Sequence, residues 1–290
     1  VAKVVTVMNM KGGVGKTTVT MHLAGVLGRW HAYGSKPTKV LAIDYDPQFN
    51  LSQALLPAKD YFALEKQNKT VLSVLVEDES DLDPFKIQVP GNLKPPSVGS
   101  LSTPIFNGSK KGGGLDLIAS TLDLMYVALG EANLNVKPIE ERFTKFIEEA
   151  RSLYDIILID CHPAGSIFTQ TSLRHSDHVV IPVVPQRYSV RGIGLMMEFI
   201  GAKSVGKQPA TPHILFNNVP RIGVSSEEAT IRADKKFAAH CMTNTLKKFK
   251  AFTEPEAGKN FVWSSGKAYS TEALNNLVRV SRELFTRIGG

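Results

Sequence analysis

The sequence predicts an α/β fold with a mostly parallel, twisted sheet flanked by helices. Three observations carry this expectation. Short runs such as KVVTVMN, KVLAIDYD, YDIILID, HVVIPVVP and HILFNNV are almost continuously apolar and rich in valine and isoleucine. Strands buried on both faces read this way. Stretches with apolar residues at helical spacing separate the runs, as right-handed βαβ units require. Glycines and aspartates cluster at the carboxyl ends of the runs, where such sheets bind ligands.

The elements follow in order. KVVTVMN is a first strand, a glycine-rich turn comes next, and TTVTMHLAGVLGRW reads as a helix. KVLAIDYD is a second buried strand that ends in acids. Segment 57–115 contains PGNLKPPSVGSLSTP and NGSKKGGG and is expected to be an irregular excursion. GLDLIAS is a strand, and TLDLMYVALGEA and PIEERFTKFIEEARSL are helices. YDIILID, a short helix, HVVIPVVP and HILFNNV complete the alternation. SSEEATIRADKKFAAHCMTNTLKKFKAF reads as one helix, with Ser225 and Glu228 at capping-box spacing. STEALNNLVRVSRELFTRIGG is a last helix, with Leu274, Leu277, Val278, Leu284, Phe285 and Ile288 on its apolar side. Neither an internal repeat nor a linker is visible. Residues 1–290 are therefore expected to form a single domain with a basic, helical region over 225–290.

The bulk composition sets bounds. The chain has 290 residues and is 43% hydrophobic, enough for a sizeable core. No apolar run approaches the roughly 18 residues of a membrane span, and the first residues show no signal-peptide pattern. Cys161 and Cys241 lie far apart and form no C-x-x-C pair, so a reduced, cytoplasmic compartment is expected. Residues 1–150 hold 16 Lys/Arg and 16 Asp/Glu, whereas residues 151–290 hold 18 and 11. All of the net charge of +7 thus sits in the second half. That half is either a solvated basic surface or a face for a polyanion such as DNA or acidic lipid.

The stretch VMNMKGGVGKTT carries the chemistry. A phosphate cradle needs backbone N–H groups converging on one anion with little side-chain bulk nearby. Gly12, Gly13 and Gly15 supply that freedom, with Val14 between them, and the helix beginning near Lys16 adds its dipole. Lys16 is placed to reach the β- and γ-phosphates of a nucleotide, Thr17 to coordinate Mg²⁺, and Thr18 to bond the α-phosphate. The usual pattern G-x-x-x-x-G-K-[ST] asks for glycine at position 10, where Met10 stands, and an extra Lys11 follows. Two strand ends add acids. Asp160 closes YDIILID and suits a Mg²⁺ held through water; Asp44 and Asp46 alternate at the end of KVLAIDYD, near the metal and the attacking water.

These residues resemble the ParA/MinD group of P-loop ATPases, whose deviant Walker A motif is K-G-G-x-G-K-[ST]. Lys11 to Thr17 matches it in full. DYDPQFN is similar to the family's D-x-D-P-Q-G-N, GLDLIAS to L-D-L-I-P-A, YDIILIDCHPAG to Y-D-x-x-x-I-D-x-P-P, and SDHVVIPVVPQRYSVRGIG to A-D-x-V-x-I-P-x-x-P-x-x-Y-S-x-x-G. The resemblance implies a P-loop NTPase architecture and weak, Mg²⁺-dependent hydrolysis of ATP to ADP. It implies an ATP-bound sandwich homodimer in which Lys11 reaches the partner's phosphates, Lys16 serves its own, and Asp46 orients water. It also implies that Asn217 contacts the adenine.

Within the group the chain is most similar to the short ParA type, without an N-terminal helix-turn-helix domain. That type binds DNA non-specifically and positions cargo with a ParB-like partner. Lys247, Lys248, Lys250, Arg279 and Arg282 are the candidate phosphate contacts, with a solvated face as the alternative for each. Two residues depart from the pattern. Phe49 replaces the glycine after D-P-Q and is expected to alter the switch loop; His162 replaces a proline and is taken as a loop histidine rather than a catalytic base. Three other readings stay open. One is a MinD-like ATPase docking on membrane through the last helix. Another is a metal or electron carrier bridged by an iron–sulfur cluster, for which Cys161 and Cys241 are poorly spaced. The third is an ATP-switched regulator of a secretion, polysaccharide or defence system.

Overall fold

Seven strands form one sheet: β1 (Lys3–Val7), β2 (Lys39–Tyr45), β3 (Thr103–Ser109), β4 (Gly112–Ile118), β5 (Ile156–Cys161), β6 (His178–Val183) and β7 (Thr211–Phe216). Their order is β3-β4-β2-β5-β1-β6-β7. Every neighbouring pair is parallel except β3 with β4, as the sequence predicts for most of the sheet. The structure, a computed structural model, describes residues 2–29, 38–76, 94–109, 112–129, 137–162, 166–202, 208–252 and 261–290.

Helices cover both faces: α1 (Lys16–Arg29), α2 (Asn50–Leu55), α3 (Ala58–Lys66), α4 (Leu72–Leu75), α5 (Val98–Leu101), α6 (Leu124–Leu129), α7 (Lys137–Leu153), α8 (Ile167–His175), α9 (Ser189–Ala202), α10 (Ser226–Ala233) and α11 (Ser270–Arg287). Strand side chains alternate between the faces. Val4, Ile43 and Ile159 join a buried cluster with Phe143 and Phe146 of α7. Val5, Ala42 and Leu158 face the other way and pack with Leu23 of α1 and Leu277 and Leu284 of α11. Burying each such side chain contributes about 1.5–3 kcal/mol, so the strands carrying the motifs are the most firmly held.

Two expectations need correction. The excursion over 57–115 is not irregular throughout: it contains α3, α4, α5, β3 and the start of β4, while residues 77–93 lie outside the described set. Its helices are too short to show a helical period, and its Gly and Pro residues resemble loop signals. What orders the α4 end is Arg142, a fully buried side chain on α7. Its guanidinium donates from Nε to the Val74 carbonyl (2.9 Å), from Nη1 to that of Lys94 (3.1 Å), and from Nη2 to those of Ser73 (2.8 Å) and Val76 (3.4 Å). A cation thus closes carbonyls left open at a helix C-terminus.

The helix read over residues 225–252 stops at Ala233. Its predicted N-cap is present, since Ser225 Oγ accepts from the Glu228 amide at 3.2 Å. Beyond it the chain runs beside β7, with Met242 N–H donating to Ile214 O (2.9 Å) and Leu246 N–H to Phe216 O (2.9 Å). Side chains of α11 satisfy other amides: Glu283 accepts from Thr243 and Asn244, and Asn276 from Lys247. The open carbonyls of β7 and the run Thr243-Asn244-Thr245, poor in helix propensity, outweigh the helical spacing. The last helix forms as expected, as α11. Its predicted apolar side faces α1 and the core, so it presents no free apolar face for lipid. Among the described residues no helix is long and apolar enough to cross a membrane.

His22 of α1 is 1% exposed, and neither ring nitrogen has a hydrogen bond. Burial drops its pKa to about 4, only partly opposed by the nearby Phe252 carbonyl. The neutral ring is the folded form, so stability falls as pH drops from the ordinary 6.5 towards 4. The expected loss between pH 7 and 5 is about 2 kcal/mol from this residue, read as a lower urea midpoint and absent in His22→Leu. Arg142→Met is expected to lose about 3 kcal/mol in the same assay at pH 7, because it strands buried carbonyls.

Candidate nucleotide site

The glycine-rich loop leaves the end of β1 at Val7 and enters α1 at Lys16. Gly13 and Gly15 take φ of +73° and +84°, a region that side chains disfavour. A Cβ on Gly15 would stand 2.5 Å from Asn217 Nδ2, whereas the positions around Gly12 and Gly13 are open to 4 Å. The loop is stapled at both flanks. Asn9, which the motif reading passed over, donates from Nδ2 to the Pro182 carbonyl of β6 (2.7 Å) and accepts from the Lys11 amide (2.9 Å). Asn217, just past β7, donates to the Val14 carbonyl at 2.8 Å. Its side chain is therefore a strut of the loop.

Lys16 is buried at the start of α1, while Thr17 and Thr18 are part-exposed. Thr17 hydrogen-bonds to Asp160, and Thr20, one turn on, donates to Asp160 Oδ1 at 3.3 Å. The sheet register places Asp44 directly opposite Asp160, and Asp160 opposite Val7 at the root of the loop. Both acids are fully buried. Burial pushes Asp160 up to about 7, with the charge of Asp46 adding to it and the Thr17 hydroxyl and Lys16 opposing. Asp44 is also raised, first by burial and then by the charge of Asp160, although Ser52 donates to its Oδ2 from both N–H (2.8 Å) and Oγ (2.7 Å).

Asp44 Oδ1 and Asp160 Oδ2 are buried with no hydrogen-bond partner. Two desolvated carboxylates side by side with an oxygen left over on each fit a hard divalent cation. Among the described residues no group of three His, Cys, Asp or Glu forms a closed metal cage. The residues therefore suit Mg²⁺ shared with the Thr17 hydroxyl, phosphate and water, where it would neutralise phosphate charge.

Asp46 lies beside these acids, 7% exposed. Its Oδ1 accepts from the Gln48 amide (2.9 Å), and its carbonyl accepts from Phe49 N–H (2.9 Å) and Ser120 Oγ (2.7 Å). Lys11 is exposed, and its ammonium reaches sideways to Gln186 Oε1. His162 donates through its amide to Tyr45 O (3.3 Å). Pro163 to Gly165 of the same motif lie outside the described residues. Cys161 is buried and Cys241 lies beyond it in the same apolar cluster, so neither thiol is presented for a cluster.

The basic candidates separate into two groups. Lys247, Lys248 and Lys250 adjoin Arg221, which the sequence reading missed: Lys247 Nζ donates to the Arg221 carbonyl (2.6 Å), and Arg221 lies 4.5 Å over the Tyr269 ring. Lys248 and Lys250 are exposed. Arg279 and Arg282 are exposed on α11, ten and thirteen positions past Tyr269, hence about 15 and 20 Å along the helix.

Residues 2–208 match a family described as AAA domain. The chain belongs to this family of P-loop ATPases, of the ParA/MinD type. An uncharacterized protein of Mycobacterium tuberculosis is 28% identical over 291 residues, covering 99% of this chain and 80% of that protein. Sporulation initiation inhibitor protein Soj of Bacillus subtilis is 30% identical over 203 residues, 68% of this chain and 64% of Soj. Among solved structures, pNOB8 ParA has a TM-score of 0.72 at 18% identity and covers 99% of each chain. The same protein bound to nonspecific DNA scores 0.63 at 20% identity, again over 99% of each. A Borrelia burgdorferi plasmid partition protein bound to AMPPNP scores 0.64 at 21% identity, over 99% of this chain and 100% of that one. At these identities the structural likeness is one of fold.

The Gly15 geometry gives a test of this ParA-type loop. Gly15→Ala is expected to weaken binding of a fluorescent ATP analogue at least about tenfold, because the methyl strains φ and displaces the Asn217 strut. The urea midpoint is expected to fall only modestly, by the roughly 1–2 kcal/mol of left-handed strain, while the nucleotide-binding loss is read separately.

Proposed function

We propose that this chain is a Mg²⁺-dependent ATPase that closes into a sandwich dimer on ATP, binds DNA without sequence preference and positions a cargo. A ParB-like partner on that cargo would stimulate hydrolysis. One observation carries the reading. Lys11 is exposed on a glycine-rich loop in which Lys16 is buried and Thr17 part-buried at the start of α1. A second lysine that does not fold into its own loop is available to phosphates across an interface, where transition-state charge concentrates. Asp46 would orient the attacking water, and Thr18 and Asn217 would border the nucleotide.

Two further features support the DNA part. The net positive charge lies in the second half, with Lys248 and Lys250 exposed beside Arg221. A ParA of the same fold is known bound to nonspecific DNA. Arg279 and Arg282 would belong to a longer footprint. The burial of the apolar side of α11 against the core weighs against membrane docking by that helix. A cytoplasmic, nucleoid-associated location follows from this reading.

The test is binding to duplexes of unrelated sequence with ATP, ADP or no nucleotide, across a salt series, with anionic liposomes alongside. Wild type is expected to bind DNA only with ATP, with a log–log salt slope of about −4 for four to five phosphate contacts. Lys16→Ala is expected to lose both nucleotide and DNA. Lys11→Ala is expected to keep ATP binding but sediment as a monomer and lose DNA. Binding to liposomes alone, or ATP-independent DNA binding, would overturn the proposal.

A further inference from the structure

Phe49 occupies a left-handed conformation, φ 42° and ψ 32°, at the position where the resembling motif has glycine. For a non-glycine residue this costs roughly 1–2 kcal/mol. It also stands at the N-cap of α2 without supplying a side-chain cap. Both local preferences are thus broken immediately after the Asp46 turn. Strain of this kind persists only where surrounding structure over-determines it, and it concentrates at functional sites.

The surrounding structure is a closed ring of contacts. The Phe49 ring is part-buried and stacks on Tyr61 of α3, with centroids 5.0 Å apart and planes 5° from parallel. Tyr61 Oη donates to Glu65 Oε1 (3.0 Å), which also accepts from Thr121 Oγ1 (2.9 Å). The neighbouring Ser120 returns to the Asp46 carbonyl, the same oxygen that accepts from Phe49 N–H. A glycine would make the turn without strain but would leave the ring open at the stack.

We propose that the Phe49–Tyr61 stack is a latch that fixes the Asp46 turn for the hydrolytic step. Phe49 and Tyr61 are therefore positioning residues of this ATPase, acting through Asp46. The inference rests on the reading of Asp46 as the water-orienting acid. Losing the latch leaves the phosphate loop, which Asn9 and Asn217 hold separately, so it affects turnover far more than ATP binding.

The experiment combines steady-state ATPase kinetics with amide exchange at Gln48 and Phe49 in the nucleotide-free protein. Phe49→Leu and Tyr61→Leu are each expected to lower kcat about tenfold with KM for ATP within about twofold, the pattern of a mispositioned group. The double variant is expected to be no worse than either single one, since both open the same ring. Phe49→Tyr, which keeps the stack, is expected to retain wild-type kcat. Protection of the two amides is expected to fall in both leucine variants. Should Phe49→Leu not fold, Phe49→Gly, free of the left-handed penalty, carries the same test. Unchanged kcat in Phe49→Gly, additive losses in the double variant, or lost kcat with unchanged exchange would each overturn the latch. A wild-type chain without ATPase activity would instead overturn the proposed function, and unchanged exchange in Phe49→Gly would then overturn the latch separately.

Discussion

The parallel register of β2, β5 and β1 is the constraint on which the site depends. It sets Asp44 opposite Asp160 and Asp160 opposite Val7, so the two acids and the root of the glycine loop lie on adjacent strands. Neighbouring strands are about 4.8 Å apart, too close for two desolvated carboxylates to ionise independently. Burial raises both acids, with the charge of Asp160 adding to it at Asp44 and that of Asp46 at Asp160, and each keeps an oxygen without a hydrogen bond. The apolar alternation on both faces of these strands holds the acids together despite that repulsion. Two desolvated carboxylates brought together in this way suit a shared cation.

The rest of the chain supports the loop from the side. Asn9 ties it to β6 and Asn217 ties it from the end of β7. The segment after α10 completes β7, and α11 satisfies that segment's amides while its apolar face covers α1. The C-terminal region therefore helps to hold the helix whose first turn carries Lys16 and Thr17. Its basic surface is an outer face of the same packing, with Arg221 held over Tyr269 and Lys247 bound to the Arg221 carbonyl.

On the opposite flank, the Asp46 turn is held by contacts outside any helix or strand ladder. Ser120 and the Phe49 amide share one carbonyl of Asp46, and an aromatic stack carries the turn to α3. The strained residue and the acid it follows are thus coupled, while the phosphate loop is secured separately by Asn9 and Asn217. A turn fixed by a few side chains is easier to perturb than one fixed by strand pairing. This places the adjustable part of the site on the Asp46 side.

Much of this was legible in the sequence. Continuous valine and isoleucine runs announce strands buried on both faces, and Lys11 to Thr17 announces a phosphate loop, because each depends on local spacing. Ser225 and Glu228 announced their cap for the same reason. The sequence did not reveal where the helix after Ser225 would end, because that was decided by the open carbonyls of β7 outweighing a helical period. Nor did it reveal the short elements within 57–115, which rest on a buried guanidinium from α7. Asn9, Thr20 and Arg221 carry no motif of their own, and their roles come from neighbours more than a hundred residues away or from a ring stacked in space. Phe49 was visible as a departure, but its left-handed backbone and its partner Tyr61 were not. Local sequence determined which residues are candidates for the chemistry; long-range packing decided which of them meet, because register, burial and side-chain contacts exist only once the sheet is assembled.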